Sequence, residues 1–414
     1  MKRKSYEAVI ACGGRGSRLK NITGSTPKPL FPINGKSTIE RCIQELSNNS
    51  IGSVLITLGY KNESFLKDIK KLEKKYSFNI DIFVENFPLG ECGALWSIKE
   101  NLNKNFFFIN GDLIFSIDLY RLIYFHKRLA SQLTLVTHTS DHPSDSDLVS
   151  APNGTLIENI FIKDSQTISD RYGYLGNSGI CLMDKNLLEI IKPPKTNDSN
   201  SVFHHIVKKA FYLNKNIYSY NTTEYIKDMG TPERLNLVKA DLINNKVNCK
   251  NYKNKQKALF LDRDNTLISC KKGDYILSEN QIQFINENID RISLIAKDFD
   301  LVCLVTNQPS ISMGKLTIYQ LEKINSIIVK YCLLKGLKID VITFCPHHPH
   351  KGFKNELTIL KTDCFCRKPN PGLILEQAHI RNINLIKSLM IGDSDCDAEA
   401  AEKSGCNFLH VDSL

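Results

Sequence analysis

Two stretches decide the fold class of this chain: Ala11-Cys12-Gly13-Gly14-Arg15-Gly16-Ser17-Arg18-Leu19 near the start and Leu259-Phe260-Leu261-Asp262-Arg263-Asp264-Asn265-Thr266-Leu267 beyond the middle. The first joins an apolar, strand-like run to a glycine-rich turn, and the second joins one to an acidic turn. Glycines let backbone amides approach an anion, and carboxylates after a strand can attack phosphorus or hold a metal ion. The sequence therefore predicts two sites of phosphate chemistry on two α/β units.

The length and composition indicate a two-domain globular protein. The chain has 414 residues, more than one hydrophobic core usually serves, with 42% hydrophobic and 24% charged residues. No apolar run approaches the roughly 18 residues of a membrane helix. The basic start, Met1 to Lys4, precedes an apolar stretch that is too short for a secretory signal. We therefore expect a cytoplasmic protein with no membrane partner.

The cysteine count and the net charge exclude further classes. Thirteen cysteines in a long chain without a secretory signal argue against a disulfide framework. The formal charge of +10 raises the question of nucleic acid, but the sequence has no basic stripe interleaved with aromatic residues and no recognisable nucleic-acid module. Anionic small-molecule substrates account for part of the charge. We expect no nucleic-acid partner, and the sequence leaves homo-oligomer formation open.

Strand-like runs alternate with helical patterns on both sides of a polar segment, residues 244–257, which contains little that could be buried. We predict a linker there, between domains at 1–243 and 258–414. The predicted strands are residues 7–11, 53–58, 80–84, 106–109, 133–137, 179–183, 258–261, 301–306, 341–344 and 388–391. The predicted helices include residues 39–48, 65–76, 289–297, 318–335 and 397–404. Such alternation favours parallel sheets with helical crossovers in both halves, with ligands beyond the carboxyl ends of the strands.

The first predicted site combines a glycine-rich turn with positive charge. Gly13, Gly14 and Gly16 can turn backbone amides toward a phosphate, while Arg18 and Lys28 add cationic side chains. A glycine-rich turn alone fits equally well an ordinary strand-to-helix turn with solvent-exposed arginines. The evidence for a nucleotide site therefore depends on other residues.

Two carboxylates provide that support. Asp112 follows the predicted strand 106–109, and Asp228 lies in the segment 227–232 near the end of the domain. Oxygen ligands of this kind suit Mg²⁺ bound to nucleotide phosphates. We predict that Asp112 and Asp228 hold Mg²⁺.

With these residues, the first 240 or so residues resemble the sugar-phosphate nucleotidylyltransferases, whose opening motif reads approximately G-G-x-G-[ST]-R-L, followed by P-K-P-L. Gly90 and Gly93 fall in Pro88-Leu89-Gly90-Glu91-Cys92-Gly93-Ala94, which is similar to the family's base-contacting P-L-G-T-x-G-A segment. Glu91 stands where the family usually has Thr. This departure bears on the choice of base more than on the type of reaction.

Two further segments resemble the sugar-binding part of that family. Asn177 lies in Gly176-Asn177-Ser178-Gly179-Ile180, which is similar to the sugar-contacting N-[AS]-G-[IV] strand. Lys163 falls where the family's F-x-E-K motif places a lysine on the sugar phosphate, with Ile162 where Glu is usual. This departure bears on the orientation of the sugar.

The resemblance implies a Rossmann-like, GT-A-like mixed sheet and a reaction with two substrates. A sugar 1-phosphate attacks the α-phosphorus of an NTP such as GTP, and pyrophosphate leaves. Positioning and charge neutralisation by Mg²⁺, Arg18 and Lys28 would supply most of the catalysis.

The second predicted site begins with two carboxylates. Asp262 and Asp264 are two residues apart after a buried strand and hence face the same side. Asp262 can attack phosphorus, and Asp264 can protonate the leaving alkoxide and later activate water. Such a pair is common by chance. Three later segments strengthen it: Thr306-Asn307-Gln308, Arg367-Lys368-Pro369 and Ile391-Gly392-Asp393-Ser394-Asp395-Cys396-Asp397.

Together these segments resemble the haloacid-dehalogenase (HAD) type phosphatases, which implies a Rossmannoid parallel sheet. The resemblance assigns Thr306 and Lys368 to the transferring phosphoryl group. It places Asn307 and Arg367 among the substrate-binding residues. It also implies Mg²⁺ bound by Asp262, Asp393 and the main-chain carbonyl of Asp264. Asn265 stands where glycine is usual, and asparagine tolerates a left-handed backbone better than most residues.

A four-ligand set in the second domain has the composition of a zinc site. Cys345 and His347 form one pair, Cys364 and Cys366 form the other, and 16 residues separate the pairs. Three buried thiols and an exposed histidine are the alternative, and His348 and His350 compete with His347 as ligands. Four protein ligands leave no open position, so the Zn²⁺ would be structural. It would shape the loop that leads into Arg367 and Lys368.

The zinc insert followed by Cys-Arg-Lys-Pro resembles D-glycero-D-manno-heptose 1,7-bisphosphate 7-phosphatases, and histidinol-phosphate phosphatases share the same loop. Such a bisphosphatase yields heptose 1-phosphate, which a sugar-phosphate nucleotidylyltransferase consumes.

The combination predicts a bifunctional enzyme that makes GDP-heptose from heptose phosphates and GTP for surface polysaccharide synthesis. Guanylyl transfer is favoured because adenylylating heptose enzymes carry an H-x-G-H signature that this chain lacks. Met313 stands where the related phosphatases have an arginine that could help bind substrate. Two alternatives stay open: the same two activities on another sugar phosphate, and a non-catalytic nucleotide-sugar-binding regulator.

Overall fold

The computed structural model describes residues 6–13, 19–24, 26–59, 62–87, 89–139, 146–151, 154–163, 175–195, 201–271 and 273–414. The chain divides into two compact units, and the boundary between them lies between Asn251 and Tyr252. Each unit is built on its own central sheet.

A mixed sheet forms the centre of the first unit. Its strands and those of two small ribbons are β1 (Tyr6–Ala11), β2 (Pro32–Ile33), β3 (Lys36–Ser37), β4 (Ser53–Leu58), β5 (Asn79–Val84), β6 (Leu102–Asn110), β7 (Leu113–Ser116), β8 (Leu133–Thr139), β9 (Leu148–Ser150), β10 (Asn159–Phe161), β11 (Leu175–Asp184), β12 (Ile217–Asn221) and β13 (Tyr225–Asp228). The main sheet runs β10-β9-β11-β6-β1-β4-β5, β8 pairs with both β11 and β12, and β7 pairs with β13. Strands β5, β4, β1 and β6 are parallel, whereas β11 is antiparallel to β6 and β8. The sheet is therefore mixed, as the resemblance implies, rather than parallel throughout.

Helices cover both faces of this sheet. They are α1 (Lys20–Thr23), α2 (Thr38–Asn48), α3 (Asn62–Tyr76), α4 (Ala94–Ile98), α5 (Leu119–Arg128), α6 (Leu187–Ile190), α7 (Lys208–Tyr212), α8 (Pro232–Ile243) and α9 (Lys246–Cys249), with a π-helix at Val202–Val207 and 3₁₀ turns at Lys28–Leu30 and Lys99–Asn101. Strand residues alternate between two cores: Ile10 packs with apolar residues of α2, α3 and α5, and Val9 packs with those of α4, α6 and the π-helix. All six residues of β4 are buried, because both faces of this strand are covered, and this explains why residues 53–58 do not alternate between apolar and exposed polar side chains.

The second unit has an all-parallel sheet in the order β16-β15-β14-β17-β18. Its strands are β14 (Ala258–Leu261), β15 (Leu301–Asn307), β16 (Val341–Cys345), β17 (Leu389–Gly392) and β18 (Asn407–His410). Its helices are α10 (Asn286–Ile295), α11 (Ile318–Leu334), α12 (Gly372–Arg381) and α13 (Asp395–Ser404), with 3₁₀ turns at Glu279–Gln281, Ala296–Asp298, Thr358–Leu360, Leu385–Lys387 and Val411–Ser413. Apolar residues of α10 and α11 cover one face, and those of α12 and α13 cover the other. In the described ranges, none of the helices of either unit is long and apolar enough to cross a bilayer.

The segment around the boundary is packed. Val247 on α9, Asn251, Tyr252 and Gln256 are all buried. The side chain of Asn251 donates to the Ser116 hydroxyl of the first unit. The side-chain nitrogen of Gln256 donates to the carbonyl of Arg381. Buried amides that find acceptors are thus present in this segment, which its composition alone does not reveal.

The topology brings the carboxyl ends of neighbouring strands to one edge of each sheet. In the second unit, Asp262 follows the central strand β14, Thr306 lies at the end of β15, and Asp393 follows β17. In the first unit, β1 and β6 are neighbours, so the turn after Ala11 meets the turn after Asn110. Both predicted sites therefore lie where a doubly wound sheet places its ligands.

Candidate active sites

Lys28 and Asp112 form an ion pair at the centre of the first site. Lys28 Nζ lies 2.5 Å from Asp112 Oδ2, and the two side chains are 11% and 34% exposed. Lys28 begins a 3₁₀ turn after Pro27, and Asp112 lies in the turn between β6 and β7. The carboxylate of this pair is therefore partly open to solvent, whereas the lysine is largely buried.

Asp228 lies next to this pair through backbone pairing. It is the partner of Leu113 in the β13–β7 ribbon, and the amide of Met229 donates to the carbonyl of Asp112 at 3.3 Å. Both of its carboxylate oxygens accept from Arg234 Nη1, at 3.0 and 2.9 Å. Although burial raises it, the pKa of Asp228 is held below its usual value by Arg234. The structure thus brings the two predicted Mg²⁺ ligands to one edge.

Gly13 marks the described end of the glycine-rich turn, because Gly14, Gly16 and Arg18 lie outside the described residues. A Cβ at Gly13 would lie 3.3 Å from Glu85 Oε1 and 3.6 Å from the amide of Gly59. Glu85 is 7% exposed, and its Oε2 accepts from the amide of Leu89 at 3.0 Å. Its Oε1 has no partner among the described atoms. Sequence reasoning missed this buried carboxylate.

The glycines of the predicted base-contacting segment have steric roles. Gly90 has a φ of +76°, and a Cβ at Gly93 would lie 2.2 Å from the carbonyl oxygen of Leu89. Any side chain at Gly93 would therefore displace the turn that precedes α4. These glycines hold Leu89, whose amide binds Glu85, in place.

The predicted sugar-contacting residues converge on Asp147. The amide of Asn177 donates to the Asp147 carbonyl at 2.9 Å, and the amide of Lys163 donates to Asp147 Oδ1 at 3.1 Å. His204, in the π-helix, places its Nε2 3.0 Å from the same Oδ1. Asp147 and His204 were absent from the sequence prediction because no spacing links them to the motifs. π-helical segments are often found at functional sites.

Glu91 connects the base-contacting segment to the π-helix. Its Oε1 accepts from the amide of Val202 at 3.2 Å. Burial raises the pKa of Glu91 to about 7, against the lowering by the Val202 amide, and Asp112 and Asp147 add to the rise. A titratable carboxyl therefore stands where the related motif has a neutral Thr.

In the second site, the ammonium of Lys368 bridges two carboxylates. Lys368 Nζ lies 2.6 Å from Asp262 Oδ1 and 2.5 Å from Asp397 Oδ1, with Lys368 only 4% exposed. Burial would lower the pKa of Lys368, but Asp262 and Asp397 raise it. Burial raises the pKa of Asp262, and Lys368 opposes that rise. The lysine is thus charged and aimed at the predicted nucleophile.

Three carboxylates of this site could hold a divalent cation. Oxygens of Asp262, Asp393 and Asp397 all lie within 4.8 Å of one another. Sequence reasoning predicted Asp262 and Asp393 but gave no role to Asp397, and the main-chain carbonyl of Asp264 stays a predicted ligand. Asp397 is fixed because its Oδ2 accepts from the amide and hydroxyl of Ser394. The signal was present as a third aspartate in residues 393–397.

The carboxylate of Asp264 contacts Arg263 and Gln308 rather than Lys368. Arg263 Nη2 donates to its two oxygens at 2.9 and 3.0 Å, and Gln308 Nε2 donates to Oδ2 at 3.0 Å. Gln308 Nε2 also lies 2.9 Å from the hydroxyl of Thr306. The predicted acid–base residue and the predicted phosphoryl-holding threonine thus share one partner.

Asn307 fixes the backbone of Lys368 through two hydrogen bonds. Its side chain both accepts from the amide of Lys368 and donates to the carbonyl of Lys368, each at 3.0 Å. The neighbouring Arg367 donates from Nη1 to the carbonyl of His347 at 3.2 Å. Asn265, at a φ of +58°, adopts the left-handed backbone expected of a residue that replaces glycine.

The Cys/His set is assembled as the sequence predicts. Cys345, His347, Cys364 and Cys366 place their ligand atoms together, with sulfur–sulfur distances of 3.3 to 3.5 Å and His347 Nδ1 3.3 Å from Cys366 Sγ. Zn–S bonds of about 2.3 Å would set tetrahedral edges of about 3.8 Å. His348 and His350 instead contact each other. Donor type, number and spacing fit structural zinc.

Comparisons with known proteins separate the two units. A family model described as nucleotidyl transferase matches residues 7–245, which is more than half of the chain, and one described as HAD-hydrolase-like matches residues 365–413. A mannose-1-phosphate guanyltransferase of Schizosaccharomyces pombe is 31% identical over 232 residues, 55% of this chain and 61% of that protein. The chain therefore spans about six tenths of the length of such curated relatives.

Two solved structures resemble the first unit. A protein of Bacillus anthracis assigned as a glucose-1-phosphate thymidylyltransferase, in complex with a sucrose, aligns with a TM-score of 0.50 at 21% identity, covering 56% of this chain and 94% of that one. HddC from Yersinia pseudotuberculosis aligns with a TM-score of 0.47 at 24% identity, covering 57% and 99%. The likeness to the B. anthracis protein concerns the fold alone.

The raised pKa of Glu91 predicts a pH-dependent loss of stability. Glutamate in the unfolded chain ionises near 4.5 and in the folded chain near 7. The folded state therefore binds the proton more tightly, and stability is lost as pH rises from about 4.5 to 7. Glu91→Gln keeps an acceptor for Val202 but does not titrate. The melting temperature of Glu91→Gln minus that of wild type should therefore be larger at pH 8 than at pH 5. The corresponding change in the free energy of unfolding is at most about 3 kcal/mol.

Thermal melts of both proteins at the two pH values measure this difference. Glu100→Gln, at an exposed glutamate of the same unit, is the control and should track the wild type. A Glu91→Gln profile parallel to wild type would contradict the assigned titration.

Proposed function

The chain belongs to the nucleotidyl transferase family and carries a HAD-like hydrolase domain, and we propose that it makes a GDP-activated heptose in two steps. The second unit removes the 7-phosphate of D-glycero-D-manno-heptose 1,7-bisphosphate. The first unit then transfers GMP from GTP to the resulting heptose 1-phosphate, releasing pyrophosphate.

One observation carries this proposal: a single chain contains two different cation–carboxylate sites at the ends of two sheets. Lys28 and Asp112 form the first, and Lys368, Asp262 and Asp397 form the second. A phosphatase that spares an anomeric phosphate makes the substrate that a sugar 1-phosphate nucleotidylyltransferase needs. Joined activities raise the local concentration of that intermediate.

The phosphatase step uses the residues of the second site as nucleophile and acid. The Asp262 carboxylate attacks phosphorus, and the bond from phosphorus to O7 breaks as Asp264 gives its proton to the departing alkoxide. Water then attacks the phosphorus of the aspartyl phosphate, Asp264 takes a proton from that water, and orthophosphate leaves with Asp262 restored. Lys368 and Thr306 bind the transferring phosphoryl oxygens throughout.

The transferase step relies on positioning and charge. The heptose 1-phosphate oxygen attacks the α-phosphorus of GTP, and the bond to the pyrophosphate oxygen breaks. Lys28 exchanges Asp112 for phosphate oxygens. The glycine-rich turn that begins at Gly13 would supply backbone amides to the nucleotide phosphates. Asn177 and Lys163 bind the sugar phosphate.

Both sites have the oxygen donors that Mg²⁺ prefers: Asp112 and Asp228 in the first unit, and Asp262, Asp393 and Asp397 in the second. When bound, Mg²⁺ supplies charge that offsets the phosphate oxygens. Three of these carboxylates already face a cationic side chain: Asp112 pairs with Lys28, and Asp262 and Asp397 pair with Lys368.

The choice of a manno-configured sugar is supported by the relatives. The S. pombe protein acts, by its name, on mannose 1-phosphate. The proposed heptose has the ring configuration of mannose with one more carbon. Mannose 1-phosphate is for that reason the second candidate substrate of the first unit, and the zinc insert before Arg367 and Lys368 is what favours heptose.

The choice of GTP is supported by Glu85. Guanine presents two adjacent donors, N1–H and the N2 amino group, whereas the other common bases present at most one donor beside an acceptor. A carboxylate accepts both. Glu85 Oε1 is buried and unpaired among the described atoms, and it lies against Gly13 of the nucleotide turn. A ligand that supplies donors there removes the cost of an unsatisfied buried acceptor.

The two activities should be separable by substitution. Wild type given heptose 1,7-bisphosphate, GTP and Mg²⁺ should release both orthophosphate and pyrophosphate. Asp262→Asn should release neither from the bisphosphate, because the nucleophile is lost, yet release pyrophosphate normally from heptose 1-phosphate. Lys28→Ala should release orthophosphate normally and pyrophosphate at least about 100-fold more slowly.

Coupled assays for the two products measure these rates. Release of neither product by wild type would reject the proposal. Pyrophosphate release with mannose 1-phosphate, but not with heptose 1-phosphate, would favour the second candidate.

Glu85→Gln tests base selectivity. Glutamine keeps the size of the side chain but replaces one acceptor with a donor, which opposes a donor of guanine. The ratio of kcat/KM for GTP to that for ATP should fall at least about 10-fold. Glu7→Gln, at a glutamate that binds the backbone amide of Gly52, is the matched control. An unchanged ratio in Glu85→Gln would remove Glu85 from base recognition.

Zinc content tests the Cys/His set. The purified chain should contain one equivalent of zinc by elemental analysis, because the four ligands complete a tetrahedron. Cys364→Ser should lose most of it and lower the melting temperature of the second unit. Cys270→Ser, outside the set, should retain zinc. A wild-type chain that binds no zinc would reject the zinc site and favour the alternative of three thiols and a histidine without a metal.

A further inference from the structure

Arg263 is a buried charge placed between the two catalytic aspartates in the sequence. Its side chain is 1% exposed. A buried guanidinium is costly unless its donors are paired. Its Nε and Nη2 donate to Asp264 at distances of 2.9 to 3.2 Å, Nη1 donates to Asn325 Oδ1 at 3.2 Å, and Nη2 donates to Gln308 Oε1 at 3.0 Å. The negative charge that compensates Arg263 is thus Asp264 itself.

Gln308 completes the network. It is 2% exposed, and its one amide nitrogen binds both Asp264 Oδ2 and Thr306 Oγ1 while its oxygen accepts from Arg263. The oxygen and the nitrogen of this amide are therefore each held by a hydrogen bond, so its orientation is fixed. Asp264, at 27% side-chain exposure, carries the network to the accessible part of the site.

Proton transfer needs a carboxyl group at a fixed place. An unrestrained aspartate rotates about two bonds, and small displacements of a reacting group cost rate steeply. A guanidinium fork fixes the plane of a carboxylate, which a lysine ammonium cannot do. Arg263 cannot supply the proton because the guanidinium stays charged.

From this geometry we propose that Arg263 and Gln308 are positioning residues that hold Asp264 for proton transfer to the leaving oxygen and from the attacking water. The proposal rests on the phosphatase activity proposed for the second unit. Arg263 and Gln308 touch no reacting atom and act only through Asp264. A purely structural role for the buried arginine is the alternative.

The leaving group distinguishes these roles. An alkoxide needs a proton as it leaves phosphorus, whereas p-nitrophenolate leaves without one. Loss of a positioned acid should therefore slow the first turnover of an alkyl phosphate and spare that of p-nitrophenyl phosphate. A general loss of structure would slow both.

The experiment uses the full chain with Mg²⁺ and follows the first turnover of heptose 1,7-bisphosphate and of p-nitrophenyl phosphate by rapid quench. Arg263→Lys and Gln308→Met should each slow the alkyl ester at least about 10-fold and the aryl ester less than about 3-fold. Added to Asp264→Asn, either substitution should slow the alkyl ester less than about 3-fold further, because Asp264 no longer transfers a proton. Arg381→Lys, at another buried arginine of this unit, should change neither rate.

The outcomes separate the two proposals. Equal slowing of both esters, or full additivity with Asp264→Asn, would overturn the positioning role and leave the phosphatase standing. If Arg263→Lys fails to fold, Gln308→Met carries the same comparison. A folded wild type that turns over neither ester would overturn the phosphatase and this inference with it.

Discussion

The second unit depends on one interaction, the buried ammonium of Lys368 between Asp262 and Asp397. A cation that is 4% exposed is tolerated only if its counter-charges are close and fixed. The fold meets this condition because parallel strands deliver Asp262 and the start of α13 to the same edge. Asn307 holds the lysine backbone from the next strand. Removing one carboxylate would leave a buried charge uncompensated, so the site and the sheet edge stabilise each other.

The first unit uses the same principle with a more open geometry. Lys28 and Asp112 form an ion pair as short as those of Lys368, yet a third of the Asp112 side chain is exposed. The Asp112 carboxylate is therefore more open to solvent than Asp262 or Asp397. For the proposed transferase, which must bind and release both a nucleotide and a sugar phosphate, such an open pair suits better than a closed one.

The sequence predicted most of the scaffold because both sheets are built from apolar runs with clear ends. Ser53–Leu58 and Ala258–Leu261 lie where the hydrophobic pattern predicts them. The Cys/His set was also predictable, since its spacing is specific. Asp397 was missed because three aspartates follow Gly392, and only the turn of α13 selects the one that faces Lys368. Glu85 and His204 carry no motif, since Glu85 approaches Gly13 and His204 approaches Asp147 only in the folded chain.

The start of α13 links helix stability to the charge of the site. Asp397 uses one oxygen to close the first turn of the helix through Ser394 and the other to bind Lys368. Gly392 makes room for it, because a Cβ there would lie 2.5 Å from the carboxylate. Fraying of a single helical turn would therefore remove one of the two carboxylates that hold Lys368, so local opening of α13 and a loss of charge compensation at the buried lysine are one event.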